Sequence, residues 1–596
     1  MRVAACVAML LCVLLALSPT GSVQGAAAPL RTSERIDRAV HVQPVTESAV
    51  HVGWRLLADD PPRIAFNVYR RVAGGAAVKL NSAPIDKTTD FVDSAAPAGV
   101  EAVWFVRPVI GSKEQAASRE ARLKPGQTPL PYVSIKLQGD YTFQKVGIAD
   151  LDGDGRYDFV IKQPGDNIDP YGPYWKPSPD TYKLEAYDAD GKFLWRYDLG
   201  WAIERGIWYS PYVVYDLDGD GRAEVAVKTG EGDPRDKDGR VQSGPEYLSI
   251  LDGLTGKEIT RVDWPSRKDF ENTRDPYNYA SRNQLCVAYL DGRTPSLIVE
   301  RGTYNVIKLV AYQYRKGKLH EQWRWDNLDD KRYWGQGAHW MHAADVDGDG
   351  CDELVIGSAV IDHDGKSLWC VGLGHPDHVY VGDIDPQRPG LEIYYGIETR
   401  QKQNGMCLVD ARTGEVIWGF KEPTRHVHAH GMCSDIDPAH PGSECYSADT
   451  DEKKQFAFAL LHNCKGEVIS RENLAGFGPR VAYWDADLQR ELVHGRIWKY
   501  KGATLLPKIP GQVVAIADIL GDWREEIIVS VPGEMRIYTT TIPAADRRVC
   551  LMQDRLYRMD VVVAAMGYWQ VPMTSYDLAT EAAKNAAEAA KNKQPR

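Results

Sequence analysis

A chain of 596 residues, 43% hydrophobic and 26% charged, is too long for one compact core, so two domains or one large repeated architecture are expected. A formal charge of −11 makes nucleic acid a poor partner, and beyond the first 25 residues no apolar run is long enough to span a bilayer. Of the ten cysteines, the eight beyond Cys6 and Cys12 are too scattered for zinc-ligand spacing or for a disulfide-stapled scaffold.

The chain opens on a short basic stretch, an apolar run and small residues before Ala26. This pattern reads as a signal peptide over residues 1–25, which implies a secreted or periplasmic protein. Residues 26–125 alternate in the manner of short strands, as in "AVHVGWRLL" (Ala49–Leu57), "RIAFNVYRR" (Arg63–Arg71) and "EAVWFVRPV" (Glu101–Val109). Pro, Gly and Asp turns separate them, and the segment is read as a small β-sandwich, fibronectin type III-like. "LKPGQTPLPY" (Leu123–Tyr132) has the composition of a linker.

From there to residue 578 one phrase returns: "DLDGDGRYD" (Asp150–Asp158), "DLDGDGRAE" (Asp216–Glu224) and "DVDGDGCDE" (Asp345–Glu353). Degenerate copies begin at Asp383, Asp435 and Asp518, with weaker echoes at Tyr289 and Tyr483. Each precedes a β-branched or apolar run, and hairpin phrases such as "DHDGKSLW" recur between them. About eight such units argue for radial repetition, so the fold class is all-β, an eight-bladed β-propeller preceded by the sandwich. A ring also protects strand edges without special end repeats. The tail, residues 579–596, is rich in Ala, Lys and Glu and prone to helix.

The full turns place carboxylates at alternate positions: Asp150, Asp152, Asp154 and Asp158; Asp216, Asp218, Asp220 and Glu224; Asp345, Asp347, Asp349 and Glu353. Calcium takes six to eight hard oxygens at about 2.3–2.6 Å, and such spacing on a tight loop can converge that many. No bidentate Glu stands at position 12 and strands follow instead of helices, so these are not EF-hands. They are expected to hold structural calcium that braces the blades.

Histidines form a second pattern. His339 and His342 lie just ahead of one carboxylate turn, His375 and His378 ahead of the next, and His426, His428 and His430 ahead of a third. Recurrence at that place suggests that several blades send imidazoles to one end of the ring. The chain has no P-loop, no dinucleotide fingerprint, no HExxH and no GxSxG elbow. Paired carboxylates for glycoside hydrolysis cannot be singled out among so many.

The run "GQGAHWMHAADVDGDG" with the "GLGHPDHVYVGDID" that follows it, "RGTY" (Arg301–Tyr304), "ADILGDWREE" (Ala517–Glu526) and "GYWQVPMTSY" resembles the secreted rhamnogalacturonan lyases of polysaccharide lyase family 11. The resemblance runs from about Arg35 to Tyr576. It implies cleavage of an acidic polysaccharide, the rhamnose–galacturonate backbone, by β-elimination, with one calcium ion at the cleft besides the structural ones. Carried over by motif, His339, His375, Asp377 and Glu398 are the implied cleft metal ligands. His342, His378 and His430, with His339 and Tyr568, are expected to contact substrate. Lys508, Tyr568 and Arg301 are the candidates for base and charge-stabilising roles, with Lys508 favoured as base. Three positions depart from the family pattern: Gln144-Lys145 stands in place of an Asn-Asp pair, His430 in place of an arginine, and Ala565 in place of an asparagine. A monomer is expected. A glycoside hydrolase on the same scaffold and a non-catalytic glycan-binding propeller are the alternatives.

Overall fold

The computed structural model describes residues 34–583. The signal-peptide reading and all but the first residues of the tail lie outside them. Among the described residues the protein is all-β, with helix confined to short segments such as Pro276–Ala280 and Arg555–Val563.

Residues 41–123 form two antiparallel sheets, one of three strands and one of five. Val42, Val52, Trp54, Phe66, Val68, Trp104 and Val106 close one core between them. These are the inward positions of the alternating segments, so the period of two in the sequence is the period of burial.

Eight four-stranded antiparallel sheets follow. The last takes its fourth strand from Tyr132–Lys136, which pairs with Glu534–Tyr538 and ties the start of this region to its end. The first strands of the sheets are Lys145–Ala149, Tyr212–Tyr215, Asn283–Ala288, Gly337–Ala344, Pro376–Gly382, Met432–Ser434, Arg480–Ala482 and Gln512–Ala517. The first strands from Lys145–Ala149 through Pro376–Gly382 pack side by side in succession, Met432–Ser434 packs on Arg480–Ala482, and Lys145–Ala149 also meets Gln512–Ala517. Being covered on both faces, several are buried along their whole length, including Asn283–Ala288 and Pro376–Gly382. The approach is close: a Cβ on Gly147 would lie 2.4 Å from Val214 Cγ2.

Each carboxylate turn joins the first strand of a sheet to the second. Asp150 accepts from the amides of Gly153 and Gly155, both at 2.7 Å, while Asp158 accepts from Leu151 at 2.8 Å. Glu224 closes on Leu217 at 2.9 Å and Glu353 on Val346 at 2.8 Å in the same way. The degenerate copies repeat it, with Glu392 on Ile384, Glu444 on Ile436, Glu491 on Trp484 and Glu526 on Ile519. The closing acid therefore shapes the turn through the backbone, whatever else it binds.

Helix Arg555–Val563, capped by Asp554 accepting from Tyr557 N, packs against five of the first strands. It was not expected from its sequence, where "RLYRMDVVV" ends in a β-branched run. None of the eight cysteines from Cys286 to Cys550 is bonded to another, although Cys433 and Cys445 face each other across neighbouring strands. The tail begins as helix at residues 578–583, where Asp577 caps Thr580 N at 2.7 Å. No helix among the described residues is long and apolar enough to cross a membrane.

Candidate active site

The carboxylate turns leave the C-terminal ends of the first strands, and the histidines cluster at the opposite, N-terminal ends. His339 sits near the start of Gly337–Ala344, while His375 and Asp377 flank the start of Pro376–Gly382. Glu398 follows the strand Glu392–Ile397, which runs back to the same end, and its amide donates to His375 O at 2.9 Å. One ligand atom from each of these four residues lies within 4.8 Å of every other.

Their protonation states suit a cation. His375 Nδ1 donates to the carbonyl of Gly337, which fixes the proton there and leaves Nε2 as a bare lone pair. That Nε2 lies 3.2 Å from His339 Nε2 and 3.2 Å from Glu398 Oε2. Burial holds the His375 imidazole down at about 4 and His339 well below the usual histidine range, so both are neutral near pH 7. Asp377 turns Oδ2 to His428 Nδ1 at 2.8 Å and to Ala429 N at 2.7 Å, freeing Oδ1 for the cluster. Burial opposes its charge, but the His428 bond and the imidazoles keep its carboxyl well below the ordinary range. Burial and the nearby Asp377 push Glu398 up to about 8. Two neutral imidazoles that turn their Nε2 atoms to one another, one fixed carboxylate and one carboxyl strained by its neighbour's charge form a donor set that fits a divalent cation.

Aromatic rings wall this cluster. Tyr568 lies 4.8 Å from His339 and 5.5 Å from His430, Trp208 4.7 Å from His339, and Tyr304 4.7 Å from His375, ring centre to ring centre. Arg282 stacks over Trp208 and pairs with Asp169 at 2.8 Å. Tyr568, Glu398, His426, His428 and His430 are only partly buried and give the cluster its face to solvent. Burial pushes the Tyr568 hydroxyl above its usual range, so it starts protonated.

The structure thus brings together His339, His375, Asp377, Glu398, Tyr568 and His430. It places four other expected residues, Arg301, His342, His378 and Lys508, outside that cluster. Arg301 is fully buried, its guanidinium spent on Pro265 O, Ala280 O and Glu246. His342 bonds Asp560 and Val379 O, both at 2.7 Å, because it lies three residues beyond His339 across a register shift and faces the helix. His378 is buried on Ala429 O and Ser447 Oγ, with its ring against the Cα of Gly396 and Gly431. Lys508 is exposed on the link into Gln512–Ala517 and shares no hydrogen bond or ion pair with the cluster among the described residues. His428, His426, Tyr304, Trp208 and Arg282 were not assigned to the site from sequence. The run "HVHAHGM" and "RGTY" carried a signal for the first three; Trp208 and Arg282 had none.

Comparison with known proteins gives the same direction. Residues 135–588 match the family described as rhamnogalacturonan lyase family 11, C-terminal domain, and residues 31–123 match the β-sheet domain of rhamnogalacturonan I lyases. The rhamnogalacturonan endolyase YesW of Bacillus subtilis (strain 168) is 37% identical over 92% of this chain and 91% of its own length. The rhamnogalacturonan exolyase YesX of the same organism is 36% identical over 90% and 94%. The crystal structure of YesX superposes with a TM-score of 0.83 at 34% identity, covering 92% of this chain and 97% of that one. A Bacillus licheniformis rhamnogalacturonan lyase superposes equally well, at 35% identity. The chain therefore belongs to rhamnogalacturonan lyase family 11 and is a polysaccharide lyase.

Proposed function

We propose that the protein is an exported, monomeric, calcium-dependent lyase that cleaves the rhamnogalacturonan I backbone by β-elimination and leaves unsaturated galacturonate ends. The observation that carries this reading is the convergence of His339, His375, Asp377 and Glu398 beside Tyr568 at one end of the first strands. In the same reading, residues 126–578 close the eight sheets into an eight-bladed propeller behind a sandwich of residues 26–125. The support is the side-by-side packing of first strands and the strand Tyr132–Lys136 completing the last sheet. The turns at Asp150, Asp216 and Asp345 would hold structural calcium. Their support is an excess of buried negative charge: burial and neighbouring carboxylates push Asp158 to about 7 and Glu224 and Glu353 to about 8.

His339, His375, Asp377 and Glu398 would hold a divalent cation, which would neutralise a uronate carboxylate and so lower the cost of carbanion character at the adjacent C5. The chain's own residues do the rest. Tyr304 and Tyr568, both only partly buried, offer faces for a sugar ring. Tyr568, protonated and partly exposed, is placed to give a proton to the departing O4. The C5 proton needs its own acceptor: Lys508, the favoured base from sequence, does not face the cluster, so that proton is assigned to the neutral imidazole of His430, whose ring lies 5.5 Å from that of Tyr568, while Tyr568 protonates O4. The test is incubation with rhamnogalacturonan I. Ultraviolet absorbance of a 4,5-unsaturated uronate is expected, and saturated products would reveal hydrolysis and end the lyase reading.

A further inference from the structure

We propose that Lys145 and Arg480 form a second anion-binding position beside the imidazole–carboxylate cluster, one that takes a uronate carboxylate without a metal ion. The inference rests on the acidic-polysaccharide reading above and adds a subsite to it. Both residues begin a first strand, so both stand at the end where the cluster lies.

Lys145 is 4% exposed, and its Nζ donates to Gly567 O at 2.7 Å. Gly567 precedes Tyr568, whose amide donates to His339 O at 3.2 Å, so Lys145 is one residue removed from the cluster's aromatic wall. Arg480 is partly exposed and stacks 4.3 Å from the Trp569 ring. Its Nη1 is buried without a hydrogen-bond partner, and so is Nδ1 of His430, which lies against Tyr568. Lys162 stands directly opposite Lys145 on the neighbouring strand, its Nζ held by Ser210.

Three basic side chains thus lie together with no carboxylate paired to any of them among the described residues. Three other buried cations each have a counter-ion: Lys228 has Glu246 at 2.8 Å, Arg282 has Asp169 at 2.8 Å, and Arg490 has Glu525 at 2.7 Å. A buried charge without a partner is costly. Burial and mutual repulsion with Lys162 and Arg480 hold the Lys145 ammonium well below the usual lysine range, and burial brings Lys162 down to about 7. An incoming carboxylate would supply the missing charge. A guanidinium fork with a free N–H matches its geometry, and the Trp569 and Tyr568 rings suit the apolar face of the sugar that bears it.

The experiment uses the calcium-loaded full chain, with calorimetric binding of a galacturonate–rhamnose oligosaccharide and KM and kcat on the polymer. Lys145→Met and Arg480→Gln are each expected to weaken oligosaccharide binding and raise KM by about tenfold to a hundredfold, the range for a charge-assisted hydrogen bond. The calcium concentration for half-maximal activity should not move. Arg480 is partly exposed, so Arg480→Gln decides the matter if Lys145→Met does not fold. Unchanged binding in the folded variants overturns the proposal, as does a parallel shift in calcium requirement, which would mean a structural role. A wild type that binds the oligosaccharide but makes no unsaturated ends would refute the lyase reading alone.

Discussion

Glu224→Gln should change stability in opposite directions with and without calcium. Glu224 closes the second carboxylate turn on Leu217 N, a bond that a glutamine carbonyl can also accept. In the metal-free fold, burial and then the charges of Asp218, Asp216 and Asp220 push its carboxyl from 4.5 to about 8. The folded pKa of an acid lies above its unfolded value, so the fold prefers the protonated form. Stability of the metal-free protein therefore falls as pH rises from about 4.5 through about 8. The full displacement corresponds to about 5 kcal/mol against the ionised form. That is an upper bound, because Asp218 and Asp220 are exposed and the turn can relax toward water; about 1–2 kcal/mol is the expected observable. Chelated Glu224→Gln should thus exceed the chelated wild type by about 1–2 kcal/mol at pH 8.5 and match it near pH 5. With calcium present the ionised oxygen is a ligand, and the same substitution should cost about 1–3 kcal/mol. Denaturant unfolding of both proteins, with chelator and with calcium, measures all four values. The same sign in both conditions would refute the assignment of this turn to a cation.

His375→Ala and Glu398→Gln should each lower turnover more than a hundredfold while shifting the unfolding midpoint little, since these two residues lie just outside the strands Pro376–Gly382 and Glu392–Ile397; activity within tenfold of wild type would dissolve the proposed metal site. Tyr568→Phe should lose most elimination with oligosaccharide binding retained, and Lys508→Ala should keep most of it; the reverse pattern returns proton transfer to the lysine. His342→Ala should cost about 1–3 kcal/mol of stability by orphaning Asp560, with KM unchanged; a KM effect in a protein of wild-type stability would return His342 to the substrate. Elemental analysis of the purified protein should find calcium, and a transition metal at stoichiometric level would overturn the choice of ion, since imidazole is uncommon among calcium ligands.

The all-β character and the eightfold sheet count were legible because both are local. A period of two, a turn that needs positive φ at Gly153 or Gly219, and an acid that closes on the next amide all lie within about ten residues of chain. His339, His375, Asp377 and Glu398 were legible as motifs, and their convergence follows from adjacent first strands starting at one end. The helix Arg555–Val563 was not legible, because its β-branched run is overruled by packing against strands hundreds of residues away. Arg301 and His342 look reactive in one dimension, yet their partners Glu246 and Asp560 are 55 and 218 residues distant. Lys145 offers the opposite case: its burial without a counter-ion arises only when Lys162, Arg480 and Gly567 are folded around it. Local pattern carries the period and the turn, while the charge a side chain feels is a sum over neighbours that chain separation does not reveal.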